Sequence, residues 1–317
     1  MSAPSEYFVG LLIGQGAYGC VLHGRLKSSG RDVAIKVMEK ICIIRRQGLI
    51  DQVRLEQALL QKWNSRHVVK LLASFHDSEC LYFVMECCTG GDLMHWINSA
   101  TYGAKEQFQQ CIPYLALQLI GAIEFIHTEG VIHADLKPGN VLLTKTGQLK
   151  LADFGSAILV ATGKSAIPLG TTDYSSPELL RGSQVLTVAV DLWSLGCILY
   201  AMWMGKSPFH AESDKLCIEQ ILSCASSNST ISWPLSIPES WKIINGLLCP
   251  NVSERLGAGD FQGGKNVIYS SIRMSQAFEG INLSDDPCYL APPPKWWQDT
   301  PFTSLRDGAE GWSVFLL

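Results

Sequence analysis

His133-Ala134-Asp135-Leu136-Lys137-Pro138-Gly139-Asn140, followed thirteen residues later by Asp153-Phe154-Gly155, is the stretch on which the reading of this chain turns. It holds two acids, an amide and a lysine within twenty-one residues. That set suits metal-assisted phosphoryl transfer. One carboxylate orients an attacking hydroxyl, while a second carboxylate and an amide oxygen hold a hard divalent ion that prefers oxygen ligands. Each residue alone would pass for an ordinary turn Asp or Asn. Together, in this order and spacing, they are hard to assign to chance.

Upstream, Gly14-Gln-Gly16-Ala-Tyr-Gly19-Cys-Val21 has the spacing G-x-G-x-x-G-x-V. Glycines let a backbone turn approach a polyphosphate and offer it N–H groups. The same spacing serves dinucleotide-binding turns, and a plain glycine-rich hairpin would also show it. Here strands are expected on both sides, and no helix starts at the last glycine. Val33-Ala34-Ile35-Lys36 sets one lysine inside an apolar strand. A buried lysine needs a partner, and Glu56, twenty residues on, lies on an expected helix. An isolated V-A-I-K would read as a surface lysine at a strand end; the glycine cluster upstream argues otherwise.

Hydrophobic periodicity gives the layout. Tyr7–Ile13, Gly19–Leu26, Arg31–Glu39, Val68–Phe75 and Cys80–Glu86 read as strands, and Leu49–Trp63 as a helix. Ile112–His127 and Asp191–Met204 are apolar enough to be buried helices. Ser223–Pro234 and Gly257–Gly264 read as loops, and Asn282–Leu317 as an extended tail. With 317 residues and 47% apolar content there is mass for one large domain or two smaller ones. The net charge of −4 argues against a general binder of nucleic-acid backbone. No apolar run suits a membrane span, Ile198–Met204 being the longest candidate, and Met1–Gly10 lacks the features of a signal peptide. Eleven scattered cysteines without a C-x-x-C pair suit neither a disulfide framework nor a zinc site, so a reduced, intracellular setting is expected.

These motifs together resemble the eukaryotic-type protein kinases. The resemblance runs from about residue 7 to 281. It implies an α+β, bilobal fold: a small antiparallel-sheet lobe with one main helix (about 7–86), a hinge (86–90), a larger, mostly helical lobe (91–281) and a tail (282–317). It also implies roles. Gly14, Gly16 and Gly19 would cover the phosphates of ATP. Lys36 would grip the α- and β-phosphates and pair with Glu56. Val21, Ala34 and Leu142 would sandwich the adenine, Glu86 and Cys88 would present hinge backbone groups, Met85 would be the gatekeeper, and Asp92 would lie near the ribose. Asp135 would be the catalytic base and Lys137 would steady the γ-phosphate, with Asn140 and Asp153 binding Mg²⁺. Glu178 should pair with Arg255, and Asp191 should anchor the catalytic loop. Asp135-Leu-Lys137-Pro is similar to serine/threonine rather than tyrosine kinases, and Gly170-Thr171 fits that class.

Arg255-Leu-Gly257 is similar to the AGC group. Glu39–Ile44, Leu81-Tyr82-Phe83, Asp153–Ala157, Tyr174–Leu180 and Asp191–Cys197 most resemble the 3-phosphoinositide-dependent protein kinases. That family carries a lipid-binding domain after the kinase domain, and the 36 residues after Ile281 are too few for one. Three positions depart from the pattern. Ala134 replaces the arginine that pairs with an activation-segment phosphate in many kinases, Ile167 stands at the usual acceptor position, and Gly139 replaces an acid that helps some AGC kinases read basic substrates. The expected activity is ATP- and Mg²⁺-dependent transfer to Ser or Thr of proteins, activation loops of other AGC kinases among them. The rival is a pseudokinase scaffold, whose mark would be loss of Lys36, Asp135, Asn140 or Asp153. A small-molecule kinase of similar fold is a third alternative. Partners docking through a hydrophobic motif near Lys40, Ile43, Ile44 and Val53 are expected, in the cytoplasm or nucleus.

Overall fold

The computed structural model describes residues 4–16, 19–100, 105–163, 172–227, 237–261, 266–282 and 303–304. The chain divides into two compact units, Met1–Thr89 with Pro292–Leu317, and Gly90–Ala291.

The first unit is a six-stranded antiparallel sheet. Its strands are β1 (Tyr7–Gly16), β2 (Gly19–Leu26), β3 (Asp32–Glu39), β4 (Leu71–His76), β5 (Cys80–Glu86) and a two-residue piece from the end of the chain, β10 (Thr303–Ser304). They lie in the order β10-β1-β2-β3-β5-β4. Two helices follow β3: α1 (Lys40–Ile44) and α2 (Leu49–Lys62). Strand alternation sorts the side chains. Tyr7, Val9, Leu22, Val33, Ile35, Val37, Tyr82 and Val84 form one buried cluster. The intervening positions Val21, Ala34, Lys36 and Met85 therefore share the opposite face. The register sets Gly14 opposite Val21, Val21 opposite Lys36, and Ala34 opposite Met85.

The second unit contains α3 (Leu93–Ser99), α4 (Lys105–Thr128), β6 (Val131–Ile132), β7 (Val141–Leu143), β8 (Leu149–Leu151), β9 (Ile158–Leu159), α5 (Pro177–Leu180), α6 (Ala189–Met204), α7 (Asp214–Ser227), α8 (Ile243–Leu247) and α9 (Ser270–Arg273). β6 pairs with β9, and β7 with β8. Nearly the whole of α6 is buried, so it forms the core against which the other elements pack. Gly196 permits this closeness: a Cβ there would meet the Leu247 and Leu248 side chains at 2.9 Å.

The α+β class, with a sheet unit followed by a helical unit, agrees with the sequence reading. Four local expectations are corrected. The segment from Ser223 is not a loop at its start, because α7 continues to Ser227. The strand expected from Val68 begins at Leu71; Lys70 instead exchanges backbone and side-chain hydrogen bonds with Glu86. Ile198–Met204 is not the longest apolar candidate, since α4 has the length and composition to cross a membrane. Two thirds of that window is buried inside the protein, as for the core helix of a folded domain. Among the described residues nine cysteines are free thiols, but Cys111 is disulfide-bonded, against the reduced setting expected.

Candidate active site

In the first unit, Lys36 reaches from the middle of β3 to Glu56 on α2, with Nζ 2.7 and 2.9 Å from the two carboxylate oxygens. Glu56 is almost completely buried and Lys36 is partly exposed. A carboxylate in that position is tolerable only with such a partner. The pair settles the choice between a surface lysine and a paired one. The three glycines differ from each other. A Cβ on Gly19 would fall 1.9 Å from the Val37 carbonyl oxygen, so this residue is fixed by the approach of β2 to β3. At Gly14 and Gly16 a Cβ would make only ordinary contacts, at 3.5 and 3.7 Å. Internal packing does not demand glycine there. Burial and the nearby Glu39 push the Cys20 thiol up, so the glycine segment carries no activated thiolate. Burial likewise pushes Cys87 up to about 12.

In the second unit, the segment between β6 and β7 converges on Asp135. Lys137 Nζ donates to Asp135 Oδ2 at 2.8 Å. Asn140 Nδ2 donates to the Asp135 carbonyl at 2.8 Å and to its Oδ2 at 3.2 Å. With its amide N–H groups turned to Asp135, Asn140 presents Oδ1 as an acceptor elsewhere. His133 commits both ring nitrogens to backbone, donating from Nε2 to the Ala152 carbonyl at 3.1 Å and accepting from Asp135 N at 3.3 Å. Its ring packs on Phe154, centroids 4.8 Å apart. With both nitrogens committed to backbone, His133 has a structural role.

Below the segment lies Asp191 of α6, fully buried. Its carboxylate accepts from His133 N at 2.7 Å, Ala134 N at 2.9 Å and His127 Nε2 at 2.8 Å. Ala134 and Asp153 both have positive φ, 62° and 61°. Non-glycine residues rarely adopt that conformation without surrounding structure to hold it. At Ala134 the hold is the Asp191 hydrogen bond. Arg255 donates to both Glu178 oxygens, at 2.6 and 3.0 Å, and to the Cys249 and Ala189 carbonyls.

Asp92 caps α3, accepting from His95 N at 2.7 Å, and forms a bridge with Leu142. The sequence reading gave it no capping role, although D-x-x before an apolar run is a cap signal. It also missed the depth at which His127 works. This ring is fully buried between Asp191 and Tyr269, whose hydroxyl lies 2.5 Å from Nδ1. Its contact with Tyr269 spans 142 positions in the chain, and no local pattern signals it. The Gly170-Thr171 pair and Ile167 lie outside the described residues.

The model of the protein kinase domain family matches residues 7–264. This chain belongs to the protein kinase family. It is 33% identical over 315 residues to 3-phosphoinositide-dependent protein kinase 1 of Arabidopsis thaliana, with 92% of this chain and 61% of that protein aligned. It is 31% identical over 304 residues to serine/threonine-protein kinase PKH2 of Saccharomyces cerevisiae, covering 92% of this chain and 26% of that one. To human 3-phosphoinositide-dependent protein kinase 1 the identity is 29% over 309 residues, covering 96% and 52%. The chain thus spans about a quarter to three fifths of these kinases. AGC-type relatives agree with the group suggested by Arg255-Leu-Gly257.

Proposed function

We propose that this chain is a protein serine/threonine kinase that transfers the γ-phosphoryl group of ATP to protein hydroxyls, AGC kinases among its substrates. The observation that carries the reading is the convergence of Lys137 and Asn140 on the Asp135 carboxylate. A scaffold without turnover would not need this arrangement, and Lys36, Asp135, Asn140 and Asp153 are all present.

The residues fit the ligands this activity requires. Gly14 and Gly16 would approach the phosphates, while Val21, Ala34 and Met85 line up on the sheet face that carries Lys36. Glu86 ends β5 and Cys88 lies two residues on, where the hinge would be, and Asp92 and Leu142 adjoin each other in the second unit. Asn140 Oδ1 and the Asp153 carboxylate are hard oxygen donors suited to Mg²⁺. Among the described residues no cluster of three His, Cys, Asp or Glu exists, so the ion would draw further ligands from water and phosphate. When bound, Mg²⁺ with ATP supplies the phosphoryl group and neutralises charge on it. Asp135 orients the substrate hydroxyl and accepts its proton, and Lys137 sets a positive charge beside the carboxylate and the transferred oxygens. Lys36, held by Glu56, fixes the α- and β-phosphates.

A docking region for a hydrophobic motif of partner kinases lies near Lys40, Ile43, Ile44 and Val53. Ile43 and Val53 are buried, but Ile44 is 67% exposed and Ile41 is half exposed, with Arg45 and Arg46 adjacent. An apolar surface beside basic residues suits an aromatic, acidic peptide. We place the protein inside the cell, in the cytoplasm or nucleus. The deciding experiment is a radiolabelled-ATP assay against peptides from AGC-kinase activation loops, with Asp135→Asn as control. Transfer by wild type and none by the variant is expected; no transfer by either overturns the reading.

A further inference from the structure

Beneath the segment that carries Asp135, a buried polar chain runs to the last part of the second unit. Asp191 shares its Oδ2 between His133 N and His127 Nε2, and its Oδ1 meets Ala134 N. An ionised carboxylate only accepts, so Nε2 carries the ring hydrogen and Nδ1 is left to accept. The group facing Nδ1 is the Tyr269 hydroxyl, 2.5 Å away. Burial pushes that hydroxyl up, and the Asp191, Glu124 and Asp260 carboxylates add to it, so it keeps its proton and stays a donor.

One face of α4 holds the tyrosine in place. Glu124, His127 and Thr128 stand three and four residues apart, hence on one side of the helix. Glu124 Oε1 accepts from Tyr269 N and from Arg273 Nε, both at 2.8 Å, and its Oε2 accepts from Arg273 Nη2 at 2.5 Å. Thr128 Oγ1 accepts from Val267 N at 2.9 Å. The chain from Val267 to Arg273 is therefore fixed to α4 on both sides of Tyr269. The tyrosine ring is fully buried and stands edge-on to His127.

What hangs on His127 is the direction of the Asp191 carboxylate. Ala134 has a φ of 62° one residue before Asp135, a conformation that persists only where its surroundings hold it. An imidazole without a partner at Nδ1 can turn about its own bonds, and a carboxylate that loses its third donor can turn about its own. Each link fixes the next, and the outermost is a single phenolic oxygen.

We propose that Tyr269 is a positioning residue for phosphoryl transfer: by holding His127, and through it Asp191, it keeps Ala134 and so the Asp135 carboxylate in place for the substrate hydroxyl. The chain of contacts stands on geometry; its consequence for transfer rests on the kinase reading.

The test is Tyr269→Phe in the full chain, which removes one oxygen and leaves the ring. The kcat on a peptide substrate should fall about three- to tenfold, with KM for ATP and for peptide within about twofold, because the loss falls on the reacting geometry and not on binding. In a His127→Leu background the same substitution should cost less than about twofold, since the link it acts through is gone. Amide exchange separates positioning from lost stability, and it needs only the single variant if His127→Leu does not fold. His133 and Ala134 N–H should exchange about fivefold faster or more in Tyr269→Phe, while Leu143 N–H, bonded to the Gly91 carbonyl in the same unit, should keep its rate. Equal acceleration at all three would make the tyrosine a stabiliser of the fold alone and overturn the proposal. An unchanged kcat, a loss taken up in KM, or full additivity with His127→Leu would overturn it too. A wild type that transfers nothing would strike the kinase reading instead, with the exchange pattern still deciding whether Tyr269 holds His133 and Ala134.

Discussion

Two buried ion pairs, one in each unit, do opposite kinds of work. Arg255 and Glu178 are locked on every side: the guanidinium meets both carboxylate oxygens and two backbone carbonyls, and lies 5.1 Å from the Trp193 ring centroid. Planar, bidentate pairing with backbone support fixes one geometry. Lys36 and Glu56 meet through a compact ammonium on a flexible stem, and Glu56 sits on a helix bordered by exposed isoleucines. Lys36 is partly exposed, Arg255 is not. The first pair is built to stay closed. The second leaves its ammonium partly exposed.

The comparison breaks if the two sites respond alike to mutation. The largest effects should fall on the chemistry itself. Asp135→Asn or Asp153→Asn should lower the transfer rate by at least about a thousandfold, roughly 4 kcal/mol in the barrier. Neither should unfold the chain, as thermal melting would show. Next, Arg255→Met should leave Glu178 half-buried without its partner and cost about 3–5 kcal/mol of stability, read as a lowered urea midpoint. Lys36→Met combined with Glu56→Gln, which removes transfer without stranding the buried carboxylate, should leave the chain folded with a smaller loss of stability. A double variant as unstable as Arg255→Met would put the two pairs in one class.

The same contrast explains what was legible in the sequence. Strands β2 and β5 have the bounds that alternation predicts, because each buries one face against a local cluster. Glu178, Arg255 and Asp191 were legible only through the resemblance to protein kinases, which implied their pairing and anchoring. The Tyr269–His127–Asp191 chain was not, since it is made by residues far apart whose local surroundings look ordinary. α1 was hidden for a different reason: Lys40–Ile44 is rich in isoleucine, which favours strands, and the chain turns helical there as it leaves the sheet. Likewise the serine-rich end of α7 reads as loop from composition alone.

A smaller effect should come from the docking region. A peptide with an aromatic hydrophobic motif should bind the α1–α2 surface and raise the rate on a short substrate, with a coupling of about 1–3 kcal/mol. Ile44→Glu should abolish that stimulation and leave the basal rate and the melting temperature near wild type, because Ile44 projects into solvent. Stimulation retained by Ile44→Glu would separate the helix from the regulation of Lys36.

The smallest expected effect is none at all. Ala134 stands where many kinases carry an arginine that binds an activation-segment phosphate. Here it is part of an apolar cluster with Ile132, Ile158, Leu186, Val188 and Val190. Leu186 N also donates to the Gly163 carbonyl at 2.7 Å, and Val160 N to the Gly130 carbonyl at 2.8 Å. The start of the activation segment is therefore tied down by packing and backbone bonds, which need no added charge. A phosphate placed beside this cluster would meet methyl groups instead of a guanidinium, and would gain nothing from proximity. Phosphatase treatment, with mass spectrometry confirming an unmodified 162–172 segment, should change the rate by less than about twofold, near 0.4 kcal/mol. A hundredfold drop would mean that some other cation receives a phosphate. Ala134→Arg sharpens the point: it should lower stability by forcing a charge into an apolar cluster, and it should not raise the rate of the unphosphorylated chain.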